Sequence, residues 1–226
     1  MLTAALFIVL TFVIGGIPTG YWTVLALKGV DIRKVGSGST GATNVVRAAG
    51  KGPGLFVFLF DIFKGWAPVA LAHFLDQGVM ASDWSFAPHV VPPLVAVAAL
   101  VGHSKSVFLG FQGGKSAATG LGTLIGLCPL GGLFTFFVWI SVLFITKYVS
   151  VASILGVFSC PFWFALLHSP IPYVCYCVFG FIYVTYRHKS NLQRLMKGTE
   201  PKITDKKKEP PATPPPSTEA TPEQVP

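Results

Sequence analysis

Long uncharged apolar runs, separated by short polar segments, set the pattern of this chain. The first, Leu2 to Leu27, exceeds the ~20 residues that carry a helix across a bilayer. Further runs occupy about Leu55–Phe74, Pro88–Val101, Ala117–Cys128, Leu130–Thr146, Val149–Leu167 and Pro170–Tyr186. Together they predict an all-α, polytopic integral membrane protein with about seven transmembrane helices. The runs starting at Pro88 and Ala117 are short for a full crossing, so tilted, broken or partly re-entrant segments are expected there. Such segments are tolerated where protein buries the backbone. Five crossings is the alternative count. The first run is no secretory signal, because no Lys or Arg precedes it and the apolar stretch is too long.

Charge between the runs tests the count. Lys28, Arg33, Lys34, Arg47 and Lys51 face Asp31 alone after the first run, whereas the next loop holds Asp76 and Asp83 and no basic residue. Lys105 and Lys115 follow the third run, nothing follows the fourth, Lys147 follows the fifth and His168 the sixth. Arg187, Lys189, Arg194 and Lys197 close the series. Basic and non-basic loops alternate, as seven crossings and the positive-inside bias require. That places the N-terminus outside and the C-terminus in the cytoplasm. Residues 1–200 then form one membrane-embedded domain. Residues 201–226, rich in Pro, Thr, Lys and Glu with no apolar periodicity, read as a disordered cytoplasmic tail.

Composition agrees with the pattern. Of 226 residues, 52% are hydrophobic and 12% charged, about half the charge of a soluble chain. The net charge is nevertheless +8. High hydrophobicity excludes disorder of the whole chain, and a nucleic-acid partner would need a basic face on a polar scaffold. Cys128, Cys160, Cys175 and Cys177 lie in apolar runs without the CxxC pairs of a zinc site, and read as small buried hydrophobes. No carboxylate cluster with metal-ligand spacing occurs, so neither a divalent metal nor another cofactor is expected.

The polar chemistry concentrates in segments on the basic side: Gly36–Arg47 (GSGSTGATNVVR), Gly102–Thr119 (GHSKSVFLGFQGGKSAAT) and Arg187–Glu200 (RHKSNLQRLMKGTE). Glycine at this density permits left-handed turns and close approach, and successive N–H groups in such turns make anion sites. With Arg47 and Lys115 beside them, phosphate is the indicated ligand. Two look-alikes fail. Gly36 to Gly41 satisfies GxGxxG, with Asp61 at the spacing of a dinucleotide fingerprint, but a membrane span precedes it and not a strand. Gly113-Gly114-Lys115-Ser116 resembles the end of a phosphate-binding P-loop, but Leu109 stands where its first glycine belongs.

Asp61 and Lys64 are charges deep in a span, one turn apart, and can pair. A structural pair and a direct substrate role are both open. His73, His89 and His168 fall on the outer side. His103 and His188 open or adjoin the polar segments, His188 in company with Arg, Lys and Asn.

The three segments strongly resemble the motifs of the bacterial membrane glycerol-3-phosphate acyltransferases that use acyl phosphate as donor, the PlsY family. That family shows a first motif close to SGN-x-GATN-x-x-R, a second close to GH-x-x-x-VF-x-x-F-x-GGK, and a third with His, Asn and RL-x-x-GTE. Here they read Ser37 to Arg47, Gly102-His103 through Lys115, and His188, Asn191, Arg194-Leu195 and Gly198-Thr199-Glu200. Ser39 replaces the common Asn, and Ser116 follows the lysine where Gly is usual. The resemblance extends to about residue 203.

It implies an inner-membrane enzyme that moves a fatty acyl group from acyl phosphate to the 1-position of glycerol 3-phosphate. The products would be lysophosphatidic acid and phosphate, with no direct use of CoA or acyl carrier protein. The HxxxxD signature of the other acyltransferase class is missing. Catalytic roles are expected of Ser37, Arg47, Lys115, His188 and Asn191. Substrate contacts are expected of Gly38, Gly41, Asn44, His103, Gly113 and Gly114, with Asn44 holding its loop. The acyl chain needs a groove open to lipid, for which Phe56, Phe58, Phe60, Phe108 and Phe111 are available. The proton of the attacking hydroxyl goes either to His188 or to a substrate phosphate. Independently of the resemblance, a carrier for a phosphorylated anion or a membrane scaffold are the competing classes. Polar groups gathered at one face, without internal repeats, favour the enzyme.

Overall fold

The computed structural model describes residues 2–77 and 88–205. Among them ten α-helices occur: α1 (Leu2–Gly15), α2 (Thr19–Lys28), α3 (Ala42–Ala49), α4 (Lys51–Gln77), α5 (Val91–Ser104), α6 (Ala117–Leu127), α7 (Pro129–Thr146), α8 (Val149–Leu166), α9 (Ile171–Arg187) and α10 (Lys189–Met196). The apolar runs map onto helices with ends that differ by a few residues. Prolines sit in the first turns of α5, α7 and α9, where a missing N–H costs nothing. Asp83 and residues 206–226, most of the expected tail, lie outside the described residues.

The first run is two helices and not one. Pro18 cannot continue the ladder, so the chain breaks after Gly16, and the carbonyls at the break take partners from outside the helix. Lys64 of α4 donates to Ile17 O at 2.7 Å and Ser106 Oγ to Gly16 O at 2.5 Å. The same Lys64 Nζ is 2.7 Å from Asp61, and both side chains are only 2% exposed. Lys64 therefore does structural work: it bonds to a helix break 47 residues away in sequence, with Asp61 as its partner.

Four segments are long and apolar enough to cross a membrane by length and composition: Leu2–Lys28, α4, α7 and α8. α5 and α6 are shorter apolar helices. Small residues bring them together. An added β-carbon at Gly15 would sit 2.5 Å from Ala99 O of α5, and one at Gly126 of α6 would lie 3.0 Å from Ala70 N of α4. α6 thereby lies along α4, α7 packs on α8, and α8 on α9. Large side chains such as Leu6, Phe63, Phe137 and Phe158 face outwards, more than half exposed, as lipid-facing residues do.

The principal core joins Val69, Val95, Leu124, Leu127, Phe164, Tyr173 and Tyr176. A second cluster, Val24, Ile32, Val45 and Val57, holds α3 against α2 and α4. At the end away from the polar segments, His73 Nδ1 meets the Tyr173 hydroxyl at 2.8 Å and His89 Nδ1 meets Asp76 at 3.2 Å.

Candidate active site

Two short helices that hydrophobic runs do not reveal, α3 and α10, carry much of the site. Asn44, in the first turn of α3, is buried and ties down the loop before it. Its Oδ1 accepts from Ser37 N at 3.1 Å, and its Nδ2 donates to Val35 O and Ser39 O, each at 2.9 Å. That fixes Ser37 and Ser39 and directs Arg47, three residues further along α3, to the same side.

A cavity of about 780 Å³ gathers Ser37, Gly41, Asn44, Arg47, His103, Lys115, His188 and Asn191 from the three polar segments. Helices α3 and α6 both begin on it, through Ala42 and Thr43 and through Ala117 and Ala118. Neither helix has a side-chain cap. Their first N–H groups and positive dipole ends face the cavity, which is the arrangement that binds phosphate. Among the described residues the Arg47 side chain has no hydrogen bond or ion pair, and it is half-buried, so its planar fork is free for an anion.

Lys115 does have a partner. It donates to Asn191 Oδ1 at 2.5 Å; Asn191 Nδ2 donates to Glu200 Oε1 at 2.6 Å; Arg194 Nε reaches Glu200 Oε2 at 2.8 Å and Ser150 Oγ reaches Oε1 at 2.8 Å. This chain orients the lysine. Burial, helped by Arg194 and Arg47 and opposed by Glu200, brings the Lys115 pKa down to about 8. Burial acts to raise the Glu200 carboxyl, but its hydrogen bonds from Asn191, Ser150 and Arg194 outweigh it and the net shift is downward.

His188 sits where α9 ends and α10 begins. Its Nδ1 is 2.8 Å from Val184 O. A carbonyl only accepts, so Nδ1 carries the proton and Nε2 bears the lone pair. Burial, with Lys115 and Arg187 adding to it, lowers the pKa to about 4, so the ring is neutral at neutral pH. In that neutral form Nε2 is a hydrogen-bond acceptor.

The remaining glycines behave differently from the expectation. Gly38, Gly113 and Gly114 do not line the cavity. Gly38 and Gly113 border a smaller recess of about 190 Å³. Gly114 N donates to His103 O at 3.2 Å, and a β-carbon on Gly114 would overlap the His103 ring. Close packing requires glycine at 113 and 114, and a left-handed turn with φ 69° favours it at 38. Arg187 fixes the same turn by donating to Gly114 O at 2.9 Å. His103 in turn has Nδ1 3.7 Å from Asp61.

Ser116, which stands where the resembling family has glycine, adopts φ 62°. That left-handed conformation suits glycine and strains serine by about 1–2 kcal/mol. Its Oγ donates to Leu100 O at 2.7 Å, which offsets the strain.

Past the polar groups the cavity turns apolar, walled by Phe58, Leu121, Leu124, Phe136, Trp139 and Val157. Of the five phenylalanines named for the groove from the sequence, Phe58 lines it and Phe56, Phe60, Phe108 and Phe111 do not. Residues 201–205, assigned to the tail by composition, also line the cavity, and Ile203 N donates to Lys147 O at 2.9 Å. The folded body extends past residue 200.

A family model described as glycerol-3-phosphate acyltransferase matches residues 5–198. The chain belongs to this family. It is similar to the glycerol-3-phosphate acyltransferase of a Nostoc species, 45% identical over 208 residues, covering 88% of this chain and 91% of the relative. It is also similar to that of Thermosynechococcus vestitus, 43% identical over 198 residues, with 86% and 92% covered. Among solved structures it resembles the glycerol 3-phosphate form of PlsY (YgiH), an integral membrane glycerol 3-phosphate acyltransferase. There the TM-score is 0.80 at 34% identity, covering 88% of this chain and 95% of that one. The lysophosphatidic acid form of the same protein gives a TM-score of 0.78 at 33% identity. Membership makes this chain an integral membrane acyltransferase and sets aside the carrier and scaffold readings.

Glu200, Ser150, Phe136 and Trp139 are site residues that the sequence did not single out. Glu200 had a signal, its place in the third segment. The others had none, because long apolar helices give no sign of which residue meets a cavity.

Proposed function

We propose that the protein transfers a fatty acyl group from acyl phosphate to the 1-hydroxyl of glycerol 3-phosphate, releasing lysophosphatidic acid and inorganic phosphate. The observation that carries the reading is one cavity with two characters. Free Arg47, oriented Lys115, Ser37 and two uncapped helix N-termini offer places for phosphate groups. An apolar arm adjoins them for the acyl chain.

An acyl phosphate is a mixed anhydride and needs no covalent enzyme intermediate. Holding the hydroxyl against the carbonyl can supply ~7–11 kcal/mol of the barrier. His188 Nε2 accepts the hydrogen bond of the attacking hydroxyl and aims it. With a pKa near 4 the ring is a weak base at neutral pH, so the proton passes to an oxygen of the departing phosphate. The ester C–O bond forms, the acyl C–O bond to phosphate breaks, and the hydroxyl proton leaves on the phosphate. Arg47 binds one phosphate bidentately and Lys115 binds as a point charge. Ser37 completes the anion site, and Asn191 and His188 hold the glycerol end.

The chain crosses a bacterial inner membrane seven times, with the N-terminus outside and the polar segments and residues 206–226 in the cytoplasm. Alternating loop charge supports that reading, as does the gathering of the basic loops around one cavity.

The test is purified protein given palmitoyl phosphate and glycerol 3-phosphate, with release of phosphate and lysophosphatidic acid followed together. Stoichiometric release is expected. Turnover with acyl-CoA but not with acyl phosphate would overturn the donor. Arg47→Lys should lose on the order of a hundredfold in kcat/KM; near-normal activity removes the bidentate role. His188→Gln, which can still present an acceptor, should retain more activity than His188→Ala. Equal loss in both contradicts the orienting role.

A further inference from the structure

The cavity encloses only part of a fatty chain. Its apolar arm descends along α6 from Ser116 to Leu124, about 12 Å at the rise of an α-helix. One leaflet of hydrocarbon is about 15 Å, half of the ~30 Å core. The floor below is closed. Leu124 and Leu127 join the core with Val69 and Phe164. An added β-carbon would lie 3.0 Å from Val69 at Gly126, 2.7 Å from Ile125 at Gly132 and 2.6 Å from Phe164 at Gly131.

Sideways the wall is made of side chains. α4 packs on α6 and α7 on α8, whereas no packing of that extent joins α4 to α7. Rings cross the gap: Phe58 and Trp139 are stacked at 23° with centroids 6.2 Å apart, and Phe136 stacks on Trp139 at 5.7 Å. Leu55, 58% exposed, borders the cavity on the α4 side of this gap. Trp139 is fixed in place. Its Nε1 donates to Ser153 Oγ at 3.3 Å, and Gly156 lies so close that an added β-carbon would be 3.2 Å from the Trp139 Cβ.

We propose that the Phe58–Trp139 stack determines acyl specificity: it grips the stretch of chain nearest the carbonyl and passes the rest between α4 and α7 into the lipid. The enzyme therefore reads the shape of the chain near its carbonyl and is indifferent to its length and its far end. A methyl branch in the enclosed stretch meets two rings and a closed floor. The same branch at the far end lies in hydrocarbon both before and after transfer. This rests on acyl transfer to glycerol 3-phosphate, and not on which leaving group the donor carries.

The experiment compares four donors with the enzyme in lipid nanodiscs: lauroyl phosphate, palmitoyl phosphate, palmitoyl phosphate methylated a few carbons from the carbonyl, and the same chain methylated at its far end. Lauroyl, palmitoyl and far-branched donors should agree in kcat/KM within a few-fold. The near-branched donor should fall on the order of tenfold or more, the discrimination one methyl group supports in an apolar pocket. Trp139→Ala should bring the near-branched donor within a few-fold of palmitoyl, with the KM for glycerol 3-phosphate unchanged. Trp139→Phe should keep the discrimination, and Phe58→Leu should relax it should Trp139→Ala fail to fold. A steep dependence on chain length, or an equal loss for all four donors in Trp139→Ala or Phe58→Leu, overturns the proposal. Were acyl phosphates inert and acyl-CoA active, the donor reading would fall, and the same four chains as thioesters would still decide this one.

Discussion

At the scale of single residues, the site depends on what surrounds each charge. Lys115, with its pKa near 8, is charged through neutral pH and neutral above it. A phosphate ligand favours the charged form, so the dependence appears in the free enzyme. We expect kcat/KM for glycerol 3-phosphate to be level from pH 6 to 7 and to decline as pH rises through about 8. In Lys115→Arg that alkaline limb should vanish, even if the plateau is lower. A limb that persists in Lys115→Arg assigns it to another group. His188 contributes no step near its ordinary pKa because it is already neutral there. Its type and place were legible in the sequence, but its tautomer was not. The Val184 carbonyl that fixes the tautomer is an ordinary feature of a helix end, identified only when the ring is seen against it.

At the scale of helices, Asp61 and Lys64 show what an isolated reading of charge leaves open. The sequence allows the pair and offers either a structural or a substrate role. The fold gives Lys64 a structural contact, because Pro18 breaks the first run and Lys64 reaches the Ile17 carbonyl, and it sets Asp61 on the wall of the cavity. Lys64→Met leaves Asp61 buried without its cation, and destabilisation of about 3–5 kcal/mol is expected. Asp61→Leu combined with Lys64→Met should lie closer to wild type than Lys64→Met alone, since no unpaired charge remains. Thermal unfolding in detergent measures both. Strictly additive losses would mean the two side chains do not act as a pair. Helices α3 and α10 teach the converse. At eight residues each they are too short to show as apolar runs, and they are recognised as helices by the site they position.

At the scale of the whole molecule, the proposed orientation makes its own prediction. Gln77 and Lys197 are exposed at opposite ends of the bundle. In a variant without native cysteines, Gln77→Cys should react with an impermeant thiol reagent added outside intact spheroplasts, and Lys197→Cys only after lysis. The reverse pattern would invert the topology. The sequence by itself determined the all-helical membrane body, the positions of its long helices and the three polar segments. These follow from local properties: apolar runs must cross or bury, prolines must start or break helices, and basic loops sort to one side. Only the tertiary structure decided which residues share a cavity. Glu200 reaches Lys115 through Asn191, Lys64 reaches Ile17, and Phe58 meets Trp139 across the gap between α4 and α7. Each joins residues far apart in the chain, and no spacing along the chain encodes a contact made by packing.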